Sequence, residues 1–162
     1  LGALVIGPGL RGLGHLLGDG VPPPDLGVDP TRAPQAARAA VVVGAGAYEE
    51  LLFRVGAYSL LYLAGGAVFR FLGPQGPLAR WGAEVTGLLG SSLLFAAFHL
   101  EAFTAWLGPG GEAFEQSIFT WRLFAGILLG LLFRWRGVGV AGWTHGLFNL
   151  ALLLGAGPDV FL

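Results

Sequence analysis

Three short polar patterns interrupt an otherwise apolar chain. They are Glu49-Glu50-x-x-x-Arg54, Phe95-x-x-x-His99 and His145-x-x-x-Asn149. Ionisable and amide side chains are costly inside a bilayer, so those found there usually serve a function. Two carboxylates, an arginine, two imidazoles and an amide together can activate a water and stabilise an oxyanion, which is the chemistry of hydrolysis.

Adjacent residues on a helix point about 100° apart, so Glu49 and Glu50 cannot play the same part. Glu50 stands four residues before Arg54, the favourable order for a helical ion pair. Arg54 keeps its charge and can hold a carboxylate in its fork, so Glu50 and Arg54 are assigned to support. Glu49 is then the freer carboxylate and the candidate general base. The plainer alternative is that both glutamates face a wet vestibule or pair with arginines. Such a role suits a lone glutamate near an interface better than an adjacent pair deep in an apolar run.

Phe95 lies one turn before His99 and packs beside its ring. A neutral His99 would share a water with Glu49; alternatively it bonds only a backbone carbonyl or interfacial water. His145 and Asn149, four apart, share one helical face, and two donors aimed at one point describe an oxyanion site. The alternative for them is a polar clamp between helices. His15, Glu84 and Arg122 carry no pattern, and the last two are expected near span ends. Glu101, two residues past His99, points to another face and is a minor candidate for the site entrance.

The elements that must position these residues follow from composition. Of 162 residues, 54% are hydrophobic and 12% charged. A soluble domain carries about 25% charged residues. With a mean hydropathy of +0.70, the chain reads as an all-α, polytopic transmembrane bundle of four to five spans. A net charge of -1 without a basic stripe argues against nucleic acid. The absence of Cys removes disulfides, thiolate catalysis and cysteine zinc sites. All basic residues are Arg, which, with the abundant Gly, Ala and Leu, points to a GC-rich bacterial gene. Met is absent and residue 1 is Leu, so the chain is expected to be a piece of a longer protein.

Residues 1–18 read as the end of an apolar, truncated transmembrane segment, without the marks of a signal peptide. Residues 19–35 form a Pro/Gly-rich loop, 36–156 the functional core and 157–162 a tail. The apolar stretch 36–72 is too long for one straight span, since about 20 helical residues cross the hydrocarbon core. It must extend, tilt or break, with Gly44/Gly46 or Gly65-Gly66 as candidate break points. Further spans are predicted at 84–107, 117–133 and 138–154. Gly126-x-x-x-Gly130 and Gly142-x-x-x-Gly146 fit the small-xxx-small pattern of closely packed membrane helices. Arg70 and Arg80 in one connection and Arg134 and Arg136 in another define a common cytoplasmic side. Glu112 and Glu115 fall outside, and Trp81, Trp106 and Trp135 mark span ends.

Taken together and in this order, the three motifs closely resemble the CPBP family, the CAAX protease and bacteriocin-processing (Abi) family that includes the eukaryotic Ras-converting CAAX protease. The resemblance runs over about residues 40–154. Family members usually have additional spans before the first motif. The resemblance implies an intramembrane, glutamic-type endopeptidase acting on a membrane-anchored protein or peptide in the bilayer. Glu49 with His99 would activate the water, His145 and Asn149 would hold the oxyanion, and Glu50 and Arg54 would support Glu49. No cofactor is expected, although Glu49, His99 and His145 could supply three zinc ligands with an open fourth position.

The leading expectation is cleavage near the C-terminus of a membrane-associated or lipidated protein in a bacterial cytoplasmic membrane. The alternative is a non-catalytic bacteriocin self-immunity or membrane scaffold protein. A proton relay or transporter ranks third, because so few polar residues hardly form a continuous path. With the predicted span ends, Glu49, His99 and His145 sit at different depths, so a helix must break or tilt, or a span end must shift.

Overall fold

A computed structural model describes residues 35–73, 76–104 and 111–155. The predicted segments 1–18, 157–162 and nearly all of 19–35, with His15 and Trp106, lie outside the described residues. The described chain is all-helical. Helix α1 runs Gln35–Phe71 and α2 Pro77–Ala97, followed by the single turn α3 Glu101–Thr104. Helix α4 runs Gln116–Arg136 and α5 Val138–Leu153. Beyond helices there is only a bridge between Leu100 and Glu112.

Two helices, Gln35–Phe71 and Gln116–Arg136, are long and apolar enough to cross a membrane, and Val138–Leu153 is a shorter apolar helix. Exposure follows the same logic. Leu60, Leu63, Leu128 and Trp143 are each about two-thirds exposed, whereas the fully buried side chains include Glu50, Arg54, Ser91 and Ser92. Apolar surface outward and polar groups inward is the arrangement a lipid solvent selects.

Helix α1 does not break at Gly44/Gly46 or Gly65-Gly66. Its 37 residues run on, and the irregularity is a π-helical stretch, Leu51–Tyr58, that begins directly after the two glutamates. Widened turns of this kind are rare and gather at functional sites. Here the flanking side chains are locked: Phe53 meets the rings of Phe95 and Phe98 edge-on, each at 5.5 Å. Gly46 and Gly65 serve packing instead. A Cβ at Gly46 would fall 2.7 Å from the Gly146 nitrogen, and one at Gly65 2.8 Å from Thr86 Cβ.

Helix α2 starts earlier and ends earlier than the predicted 84–107. Pro77 occupies its first turn, where a missing N–H costs nothing. The helix closes at Ala97, and His99 therefore lies in the turn beyond it, its N–H bonded to Ala96 O. Both small-xxx-small pairs lie at helix contacts. Gly126 and Gly130 face Ser92 and Leu88 of α2, while Gly142 and Gly146 face Ala47 and Val43 of α1. Gly137, at φ 86°, makes the sharp joint between α4 and α5.

Arg134, near the end of α4, grips Glu84, in the second turn of α2, through Nη2–Oε1 at 2.8 Å and Nε–Oε1 at 3.0 Å. Tyr58 donates its hydroxyl to the same carboxylate. Arg80 and Arg134 line one cleft at this end of the bundle, and Arg70 and Arg80 line an adjoining one.

Candidate active site

The centre of the site is built on the last turn of regular helix before the π stretch. Glu49 and Glu50 are both buried, and their 100° separation directs them to opposite sides of one imidazole. Glu50 Oε1 lies 3.0 Å from His145 Nδ1, and Glu49 Oε2 lies 3.6 Å from His145 Nε2. The two partners are 95 residues apart in sequence. What brings them together is the glycine-lined contact of α5 with α1, because Gly146 next to His145 lets the backbones nearly touch.

Arg54 donates from Nε to Glu50 Oε2 at 2.9 Å and from Nη1 to Ser91 Oγ at 3.3 Å. Its guanidinium carbon also lies 5.5 Å from the centroid of the Phe95 ring, within cation–π range. Glu50 therefore accepts from Arg54 on one oxygen and from His145 on the other. A buried charge needs this degree of satisfaction to be tolerated. Ser91 was not singled out by the sequence. Its only signal is the small polar run Gly90-Ser91-Ser92 within an apolar helix, and both hydroxyls also bond back to Leu88 O.

Phe95 is the hub of the aromatic wall. Its ring stands edge-to-face with His145 at 5.6 Å and with His99 at 5.1 Å. His99 Nδ1 lies 2.8 Å from Phe95 O. Since a carbonyl only accepts, Nδ1 carries the proton and Nε2 of the neutral ring is left as an acceptor. Asn149 is half-buried one turn beyond His145, and its amide makes no hydrogen bond to the other described residues. The structure thus joins Glu49, Glu50, Arg54 and His145 directly and attaches His99 through Phe95. Among the described residues no three His, Asp or Glu side chains converge as a metal-holding group.

A second ion pair borders the turn that carries His99. Arg122 Nη2 lies 2.8 Å from Glu112 Oε1. Glu112 also closes the turn that carries His99. Its N–H donates to His99 O at 2.9 Å and its carbonyl accepts from Glu101 N–H at 3.0 Å. Gly111, at φ 97°, is required there, since a Cβ would meet Glu101 Cα at 2.6 Å. Outside the helices, the Arg122 hydrogen bond holds the Glu112 carboxyl below the usual carboxylate range. Sequence reading placed Arg122 at an interface and gave Glu112 only a side of the membrane. Neither sits in a periodic pattern that would reveal the partnership. Glu101 itself is exposed.

These features describe an apolar helical bundle with a buried carboxylate–imidazole centre. The chain matches the family of Type II CAAX prenyl endopeptidase Rce1-like proteins over residues 32–151, and it belongs to that family. It is accordingly a peptidase of the CAAX protease class. No curated protein and no solved structure matches it significantly.

Proposed function

We propose that this chain is a glutamic-type intramembrane endopeptidase that cuts near the C-terminus of a membrane-associated or lipidated protein, in a bacterial cytoplasmic membrane. The observation that carries this reading is the buried series Glu49–His145–Glu50–Arg54, assembled from two helices distant in sequence. Apolar packing would not retain four polar groups at this depth without a task for them. Helices α1, α2, α4 and α5 serve as four spans of the 36–156 core.

In this reading Glu49 accepts a proton from water, with His99 Nε2 as the second acceptor that orients it. The water oxygen bonds to the scissile carbonyl carbon, and the carbonyl oxygen becomes the oxyanion. Asn149 donates to that oxyanion. His145, its Nδ1–H held by Glu50 and its Nε2 already carrying a proton before the water is activated, donates from Nε2 to the same oxyanion and keeps that proton. The C–N bond then breaks as the proton on Glu49 passes to the leaving amine. Glu50 and Arg54 fix the imidazole and do not touch substrate. No metal is assigned a step.

The test is mass spectrometry of C-terminal peptides of membrane proteins from cells expressing wild type or Glu49→Gln. The expected result is a precursor that accumulates only with the variant, at equal amounts of folded protein. Identical peptide sets overturn the reading.

A further inference from the structure

At the basic end of the bundle a cleft of about 350 Å³ opens between α1 and α2, lined by Tyr62, Gly66, Arg70, Ala79, Arg80 and Ala83 among others. Its floor is made of small residues. Arg70 folds back over it: a Cβ built on Gly66 would lie 3.4 Å from Arg70 Nη1 and 3.5 Å from Ala83 Cβ. Neither Arg70 nor Arg80 pairs with a carboxylate among the described residues. The one described acid at this end, Glu84, is already occupied by Arg134 and Tyr58. Two guanidinium groups, neither paired with a carboxylate among the described residues, thus line the cleft.

A second cleft of about 460 Å³ shares Arg80 and continues along Trp81, Val85, Leu88 and Leu131, with Tyr58 and the Glu84–Arg134 pair forming a polar part of its wall. Trp81 is 70% exposed, as an aromatic anchor at the headgroup level is. A ligand that suits both clefts has an anionic head for Arg70 and Arg80 and an apolar body for the groove beside Trp81. We propose that these clefts bind one anionic phospholipid, its phosphate on Arg70 and Arg80 and an acyl chain along Val85 and Leu131. Guanidinium groups match phosphate geometry in a fork, and basic pockets between membrane helices on the cytoplasmic side bind such headgroups. A zwitterionic headgroup brings an ammonium for which the clefts offer no free carboxylate. The proposal does not rest on the catalytic reading, because it uses none of those residues.

The experiment is native mass spectrometry of the full chain from detergent micelles titrated with phosphatidylglycerol, phosphatidylcholine or inorganic phosphate. Selective phosphatidylglycerol adducts are expected, falling about fivefold for each of Arg70→Gln and Arg80→Gln. Arg70→Lys with Arg80→Lys keeps the charge without the fork and should bind between wild type and Arg70→Gln/Arg80→Gln, showing that the Gln variants lost charge rather than fold. Arg136→Gln removes the same charge outside the clefts and should change nothing. Undiminished adducts in Arg70→Gln/Arg80→Gln overturn the proposal, as does an equal loss in Arg136→Gln. Displacement of the lipid by millimolar inorganic phosphate would show a free-anion site and overturn the lipid assignment.

Discussion

Gly44 and Gly46 lie two residues apart on α1, and alanine at each should have opposite effects. A Cβ at Gly44 meets nothing within 4 Å, so Gly44→Ala gains helix propensity of roughly 0.5–1 kcal/mol. A Cβ at Gly46 would lie 2.7 Å from Gly146 N, 2.9 Å from Gly146 Cα and 3.0 Å from the His145 carbonyl carbon. All three are backbone atoms, so no side chain can swing away. Ordinary contact begins at 3.4 Å, and the α5 backbone must therefore retreat by about 0.7 Å. Overpacking of this kind costs about 1–3 kcal/mol. The two variants should then differ by roughly 3–16 °C in thermal midpoint for a chain of this size. The same displacement carries His145 away from Glu49 and Glu50. Misplacement by about 1 Å can cost about 10²-fold in rate, so peptide cleavage by Gly46→Ala should fall about 10- to 100-fold. The assay pairs thermal unfolding in detergent with cleavage of the substrate found by the C-terminal peptide comparison. If Gly46→Ala melts with Gly44→Ala and cleaves at the wild-type rate, α1 and α5 do not meet as closely as described, and the geometry of the site is wrong.

Arg54→Leu leaves the Glu50 charge buried with His145 alone and should cost about 3–5 kcal/mol, read as loss of folded protein after detergent extraction. Arg54→Lys keeps the charge, but one ammonium cannot reproduce the fork that reaches both Glu50 and Ser91, so a loss of about 1–2 kcal/mol is expected. Asn149→Ala should lower the cleavage rate by about 10²–10³-fold, the usual loss for one oxyanion donor, with the thermal midpoint unchanged. The Glu112 carboxyl is held below its ordinary range by Arg122. Its folded-state pKa is depressed, so the ion pair is fully present above the ordinary carboxylate pKa of about 4.3 and is lost as pH falls through the lower folded value. Hydrogen exchange of the His99–Thr104 amides should rise in that acid range relative to neighbouring helices, and Glu112→Gln should show the rise already at neutral pH.

Much of the site was legible because its chemistry is local. The spacing of Glu50 and Arg54 alone predicts their ion pair, since i and i+4 are neighbours on any helix. Phe95 beside His99 follows from the same rule. Span ends were less legible. Apolar sequence continues past Ala97, so composition carried α2 to residue 107, whereas the chain turns at Phe98 and Glu112 closes the turn. For α1 an extension, a tilt or a break stood open, with Gly44/Gly46 and Gly65-Gly66 as candidate break points, but Gly46, Gly65 and Gly66 are where other helices touch.

The sequence by itself determined the all-helical, lipid-compatible fold, the order of the three motifs and the pairing of Glu50 with Arg54. Each depends only on composition or on geometry within one turn. Tertiary structure decided that His145 lies between the two carboxylates, that Ser91 shares the load of Arg54, and that Glu112 and Arg122 brace the turn carrying His99. It also decided where α1 widens. These contacts join residues tens of positions apart, and their distances are set by how closely glycine-faced helices approach. No periodicity along one chain segment encodes that approach, because it belongs to both surfaces at once.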